Sequence, residues 1–170
     1  MFEVYPAGDP TFNYSQNSFC KSFSSTITPT ISTIGGTFSS SPAGLIFNAS
    51  SGAINPAISS TGTYTLEYTI GVLCSSVTST IIIINNEDDS TFTYSDNIYC
   101  QTNFSSVTPT SAASGGIFTS SPLGLPINAT TGAISPSIST AGTYTIEFTS
   151  DGICSTTSSL SMEIKAPDNA

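Results

Sequence analysis

The chain has 170 residues and a formal net charge of −9, from 11 acids against two lysines, with no His and no Trp. Lys21 and Lys165 are the only cationic side chains, so there is no basic surface for nucleic acid or an anionic membrane, and no imidazole for proton transfer near neutral pH. A hydrophobic content of 38% predicts a folded chain rather than a disordered Ser/Thr-rich tail, and the Ile81 to Ile84 run is far shorter than the roughly 20 residues that span a bilayer.

The opening residues take their meaning from the rest of the chain. A shift of 80 places residues 11–90 on 91–170 without a gap and with 37 of 80 positions identical: TFNYSQNSFC meets TFTYSDNIYC, and TGTYTLEYT meets AGTYTIEFT. A period of 80 exceeds that of solenoid units, so each copy is expected to carry its own core. In the same register Met1, Phe2, Glu3 and Val4 fall on Ser161, Met162, Glu163 and Ile164. Residues 1–10 are therefore predicted to be the tail strand and linker of a preceding repeat, followed by repeat 1 (11–84), a linker (85–90), repeat 2 (91–164) and a linker to a following repeat (165–170).

Within repeat 1, short strands are predicted at 11–15, 24–28, 36–40, 44–48, 52–58, 62–70 and 76–84. In TGTYTLEYT, Tyr64, Leu66 and Tyr68 alternate with Thr63, Thr65, Glu67 and Thr69, the period-two pattern of a half-buried strand, and Tyr144, Ile146 and Phe148 repeat it. Turn clusters such as Gly35-Gly36, Ser51-Gly52 and Asn55-Pro56 divide the strands, and no segment reads as a helix. The fold class expected is all-β, two tandem immunoglobulin-like antiparallel β-sandwich domains. Gly62-Thr63-Tyr64 and Gly142-Thr143-Tyr144 are expected to form tyrosine corners, with each hydroxyl reaching the backbone.

The cysteines recur as Cys20 and Cys74 in the first copy, Cys100 and Cys154 in the second. Four cysteines allow three connectivities, and a self-contained repeat favours Cys20 with Cys74 and Cys100 with Cys154. Disulfides imply an oxidising, extracellular setting. Two cysteines per copy without His make a poor zinc ligand set.

Little else has the makings of chemistry. Lys21 aligns with Gln101 and Lys165 with Asn85, so neither lysine belongs to the shared design; Glu67 and Glu147 are shared but sit on Thr-lined outer faces. No catalytic residue is expected and the chain is read as not an enzyme. Glu87, Asp88 and Asp89 form the one acidic cluster, a weak Ca²⁺ candidate at the linker, with no other cofactor expected. Ser90, in Asp89-Ser90-Thr91, is a weak candidate for O-glycosylation. Ile81 and Ile83 are expected to face outward where the second copy carries Ser161 and Glu163, an exposed aliphatic pair that could form an interface.

SPAGLIFNASSGAINPAISSTGTYTLEY and SPLGLPINATTGAISPSISTAGTYTIEF resemble the pattern of bacterial immunoglobulin-like and cadherin-like repeats, over about half of each copy. With the leading aromatic pair and the two cysteines, they look like tandem modules of large cell-surface adhesins from gliding bacteria. That resemblance implies non-catalytic structural or adhesive modules of a long extracellular surface protein or filament, acting as stalk or spacer. The partners expected are neighbouring repeats and surface glycans, without nucleic acid or membrane insertion. The alternatives are a carbohydrate-binding module, for which no Trp and few unshared aromatics are present, and a filament subunit that donates residues 1–4 as a strand.

Overall fold

The structure is a computed structural model that describes residues 8–71, 74–111 and 113–167. Residues 1–4, read above as a donated or preceding strand, lie outside the described residues. The chain divides into two compact units, Met1–Glu87 and Asp88–Ala170.

In the first unit, β1 (Phe12–Asn13) pairs with β3 (Thr30–Ile31) in a two-stranded sheet. The second sheet holds β2 (Ser18–Cys20), β6 (Ser76–Asn85), β5 (Gly62–Ile70) and β4 (Thr37–Ser41), in that order. The long strand β5 forms because its Thr residues suit an exposed pleat while Tyr64, Leu66, Tyr68 and Ile70 alternate into the core. Phe12 crosses from the small sheet to meet Phe38 and Tyr68 edge-on, with ring centroids 5.1 and 6.1 Å apart, which closes the two layers over one another.

The second unit repeats this architecture. β7 (Phe92–Thr93) pairs with β9 (Thr110–Ser111); β10 (Gly116–Ser121), β11 (Gly142–Ser150), β12 (Thr157–Lys165) and β8 (Ile98–Cys100) form the four-stranded sheet. Phe92 meets Phe118 and Phe148 in the same way, at 5.4 and 6.2 Å. Each unit is thus an all-β, immunoglobulin-like sandwich. Both tyrosine corners are present: Tyr64 Oη donates to the Ser60 carbonyl and Tyr144 Oη to the Thr140 carbonyl, each at 2.7 Å.

The strand map differs from the expectation in three ways. Residues 44–48 and 52–58 form no regular strand: Phe47 makes an isolated bridge to Ile54, with the Asn48 N–H donating to the Ala53 carbonyl and the Asn55 N–H to the Ile46 carbonyl, each at 2.9 Å, and Ile54 also bridges Ile27. Asn48 is the cause: its side-chain oxygen accepts from the Ser50 and Ser51 N–H groups, both at 2.9 Å, and Gly52 follows at φ +70°, so the backbone turns instead of extending. The expected strand 24–28 is likewise reduced to the Ile27 bridge, while β2 and β3 form at positions the pattern did not mark. Finally, β2 runs parallel to β6, as β8 does to β12, so the larger sheets are mixed rather than purely antiparallel.

Candidate interaction face and repeat poles

The hairpin of β5 and β6 sets the geometry of the first repeat. Gly62 pairs with Ile84 at one end and Ile70 with Ser76 at the other, where the turn lies. β2 is laid along the first of these ends: Phe19 pairs with Ile84 and Cys20 with Asn85, and the Lys21 N–H donates to the Asn85 carbonyl at 3.1 Å. Cys20 therefore sits at the exit pole, where the chain leaves the repeat. Cys74 sits in the turn just before β6, at the opposite pole.

This separation overturns the expected pairing within a repeat. About eleven extended residues divide Cys74 from the partner of Cys20, roughly 36 Å at about 3.3 Å per residue, whereas a disulfide needs Cα atoms within about 7 Å. The second repeat has the same arrangement, with Cys100 opposite Lys165 and Cys154 in the turn before β12. Cys20 and Cys154 are each disulfide-bonded, while Cys74 and Cys100 are free, exposed thiols.

The acidic cluster is also divided. Glu87 closes the first unit and Asp88 opens the second. The Asp88 N–H donates to the Cys154 carbonyl at 2.9 Å, and Thr156 Oγ1 donates to the Asp88 carbonyl at 2.6 Å. Residues 88–90, expected to be linker, thus belong to the entrance pole of the second repeat. Asp89 accepts from the Thr91 N–H at 2.9 Å, and the hydrogen bonds from Thr91 hold its carboxyl below the usual carboxylate range. Asp9 does the same with Thr11 in the first repeat. Asp88, Asp89 and Asp151 line a recess of about 270 Å³ in the second unit, yet no group of three or more His, Cys, Asp or Glu among the described residues is placed to hold a metal ion.

Ser90 is only 7% exposed, and its carbonyl accepts a hydrogen bond from Ser158 Oγ. The residue expected to carry an O-glycan thus stands in a buried position of the second repeat and not on an open linker.

Ile81 and Ile83 do face outward, 46% and 36% exposed, while Ile82 and Ile84 are buried. Val77, 53% exposed, joins them on the same face of β6, a residue that sequence reasoning passed over although 77, 81 and 83 share one parity. β6 is an inner strand, between β2 and β5, so this apolar strip is not an unpaired sheet edge. Glu67, opposite Ser39 and Ser79, lies on the exposed face of β5 as expected from its spacing. Among the described residues the exposed aromatic side chains are Phe23 and Phe104, one in each repeat, which do not form a platform for stacking sugars. No described helix is long and apolar enough to cross a membrane.

The strand order, mixed sheet and tyrosine corners define the class: two immunoglobulin-like sandwich modules in one chain. No protein-family model matches the sequence, and no curated protein sequence matches it either. Among solved structures the chain is similar to the insect immune protein hemolin, at 12% identity and TM-score 0.44, over 94% of this chain and 47% of that one. It is similar to murine CEACAM1b, at 11% identity and TM-score 0.44, over 92% of this chain and 99% of that one. It is also similar to Drosophila N-cadherin EC1-4, at 8% identity and TM-score 0.42, over 95% and 50%. The chain thus spans about half the length of the hemolin and N-cadherin structures.

Proposed function

We propose that the two repeats are non-catalytic structural and adhesive modules of an extracellular surface protein, acting as stalk or spacer. The observation that carries this reading is the duplication itself: two complete sandwiches with the same strand order and register, joined directly from Asn85 to Asp88. A repeat in which each copy buries its own core can be multiplied to gain reach without redesign. The bonded state of Cys20 and Cys154 supports an oxidising compartment, and the Ser/Thr-lined outer faces of β5 and β11 supply a polar coat. The resemblance to repeats of large surface adhesins supports the same role.

The test is antibody labelling of intact cells that produce the parent protein, with length measured by force spectroscopy. Surface label that disappears on protease treatment, together with a shorter contour length when residues 11–90 are deleted, is the expected result. Label confined to permeabilised cells overturns the reading.

A further inference from the structure

We infer that each repeat resists pulling along the chain through the parallel pair of its second and last strands, and that the first repeat holds to a higher force than the second. Each repeat is considered by itself. The chain enters β2 at Ser18 and leaves β6 at Asn85, and the two strands run side by side in the same direction, Ser18 on Ile83, Phe19 on Ile84 and Cys20 on Asn85. A pull on the two ends of the repeat therefore drags β2 and β6 lengthwise past one another. The bonds between them are loaded together, whereas strands peeled apart from one end lose their bonds one at a time. Forced unfolding is governed by the unfolding rate, so bonds that must break together set the force. β8 and β12 repeat the arrangement, Ile98 on Glu163, Tyr99 on Ile164 and Cys100 on Lys165.

Backbone bonds bracket both pairs alike. The Ile83 N–H donates to the Asn17 carbonyl at 2.8 Å and the Lys21 N–H to the Asn85 carbonyl at 3.1 Å. In the second repeat the Glu163 N–H donates to the Asn97 carbonyl and the Gln101 N–H to the Lys165 carbonyl, both at 2.9 Å. The difference lies in the side chains. Asn85 Nδ2 donates to Ser18 Oγ at 2.8 Å and to the Phe19 carbonyl at 3.3 Å, and Asn17 Nδ2 donates to Thr80 Oγ1 at 3.4 Å. The second repeat has Lys165, Ile98 and Leu160 in the places of Asn85, Ser18 and Thr80. Neither Ile98 nor Leu160 has a hydroxyl to accept such a bond, so the side-chain ties between the first repeat's strands have no counterpart there. β2 is also the more deeply anchored strand, with Phe19 1% exposed where Tyr99 is 9%. Under a rising load the second repeat opens first and releases its chain length while the first stays folded.

The stalk reading supplies the load, and the inference rests on it only for that; the clamps themselves are decided on the purified 170-residue chain, whatever the cell labelling shows. The chain is stretched from its two ends in a force spectrometer, in reductant, because a disulfide at Cys20 or Cys154 diverts the load from the strands. Two unfolding events at distinct forces are expected. Asn85→Lys gives the first repeat the residue of the second, and is expected to bring the higher force down toward the lower while the lower stays in place. The reverse exchange, Ile98→Ser and Leu160→Thr with Lys165→Asn, is expected to raise the lower force toward the higher, and decides the matter if the first variant does not fold. The direction of load is tested with Cys20, Cys100 and Cys154 changed to Ser and the second handle moved to the exposed Cys74 thiol, before β6. The first repeat is then peeled instead of sheared, and its unfolding force is expected to fall. One common force for both repeats, forces that neither exchange moves, or an undiminished force on pulling at Cys74 overturns the inference.

Discussion

The two repeats solve the same packing problem at their entrance poles with different chemistry. In the first, Gly8 approaches Ile70 so closely that an added Cβ would lie 2.9 Å from the Ile70 Cδ1, and the contact is apolar. In the second, the equivalent residues are Asp88 and Ser150. Ser150 Oγ accepts from the Thr156 N–H at 3.0 Å and donates toward Asp88 Oδ2 at 3.4 Å. The backbone register of the hairpin is the same in both. The fold asks only that the pole be closed, and either a methyl group or a hydrogen-bonded hydroxyl can do that when its partner is chosen with it.

The comparison can be broken most forcefully in the core. Ile82 and Met162 occupy equivalent, fully buried positions, and Ile82→Ala or Met162→Ala is expected to cost about 2–5 kcal/mol, seen as the loss of one calorimetric transition's stability and not the other's. At the entrance pole, Ser150→Ile alone is expected to cost about 1–3 kcal/mol, because it leaves the Thr156 N–H without its acceptor and crowds Asp88. Adding Asp88→Gly recreates the pair used by the first repeat and should recover a large part of that loss in denaturant unfolding. Additive costs would show that the two poles are not interchangeable.

Tyr68 and Phe148 give a subtler contrast. Tyr68 is fully buried, and its hydroxyl accepts from the Gly36 N–H and donates to the Thr33 carbonyl, both at 2.8 Å. Phe148 fills the same place without a hydroxyl. Tyr68→Phe is expected to cost about 1–2 kcal/mol, since it leaves the Gly36 N–H and the Thr33 carbonyl without the hydroxyl that pairs with both. On the outer face, Ile81→Ser with Ile83→Glu gives the first repeat the surface of the second. Stability should change by less than about 0.5 kcal/mol, while light scattering should report weaker attraction between molecules.

The smallest effect is shared by both repeats. Hydrogen bonds from Thr11 and Thr91 lower the carboxyl pKa of Asp9 and Asp89 from 3.8. A lowered folded pKa contributes stability that is present above the unfolded value and is lost as pH falls through the folded one. Thr91→Val should therefore raise the Asp89 pKa toward 3.8 in an NMR titration and leave Asp9 unchanged.

The core and the candidate site were legible to different degrees. The alternation of Tyr64, Leu66 and Tyr68 announced β5 because a half-buried strand leaves a period-two record. The outward placement of Ile81 and Ile83 followed from the same parity. The segments 44–48 and 52–58 misled because apolar residues there serve a turn held by Asn48, whose side-chain hydrogen bonds leave no periodic trace. Ser90 looked like linker, yet it is buried, with its carbonyl accepting from Ser158 and the neighbouring Asp88 carbonyl from Thr156, donors that lie more than sixty residues away.

The amino-acid sequence by itself determined that there are two copies of one β module, which strand faces turn inward, and that each copy carries two cysteines. These are local or self-referential properties, readable from spacing and from register against the second copy. Only the tertiary structure decided where the cysteines stand. Their poles depend on β2 lying parallel to the last strand of its sheet, a long-range pairing of Cys20 with Asn85 that no local pattern encodes.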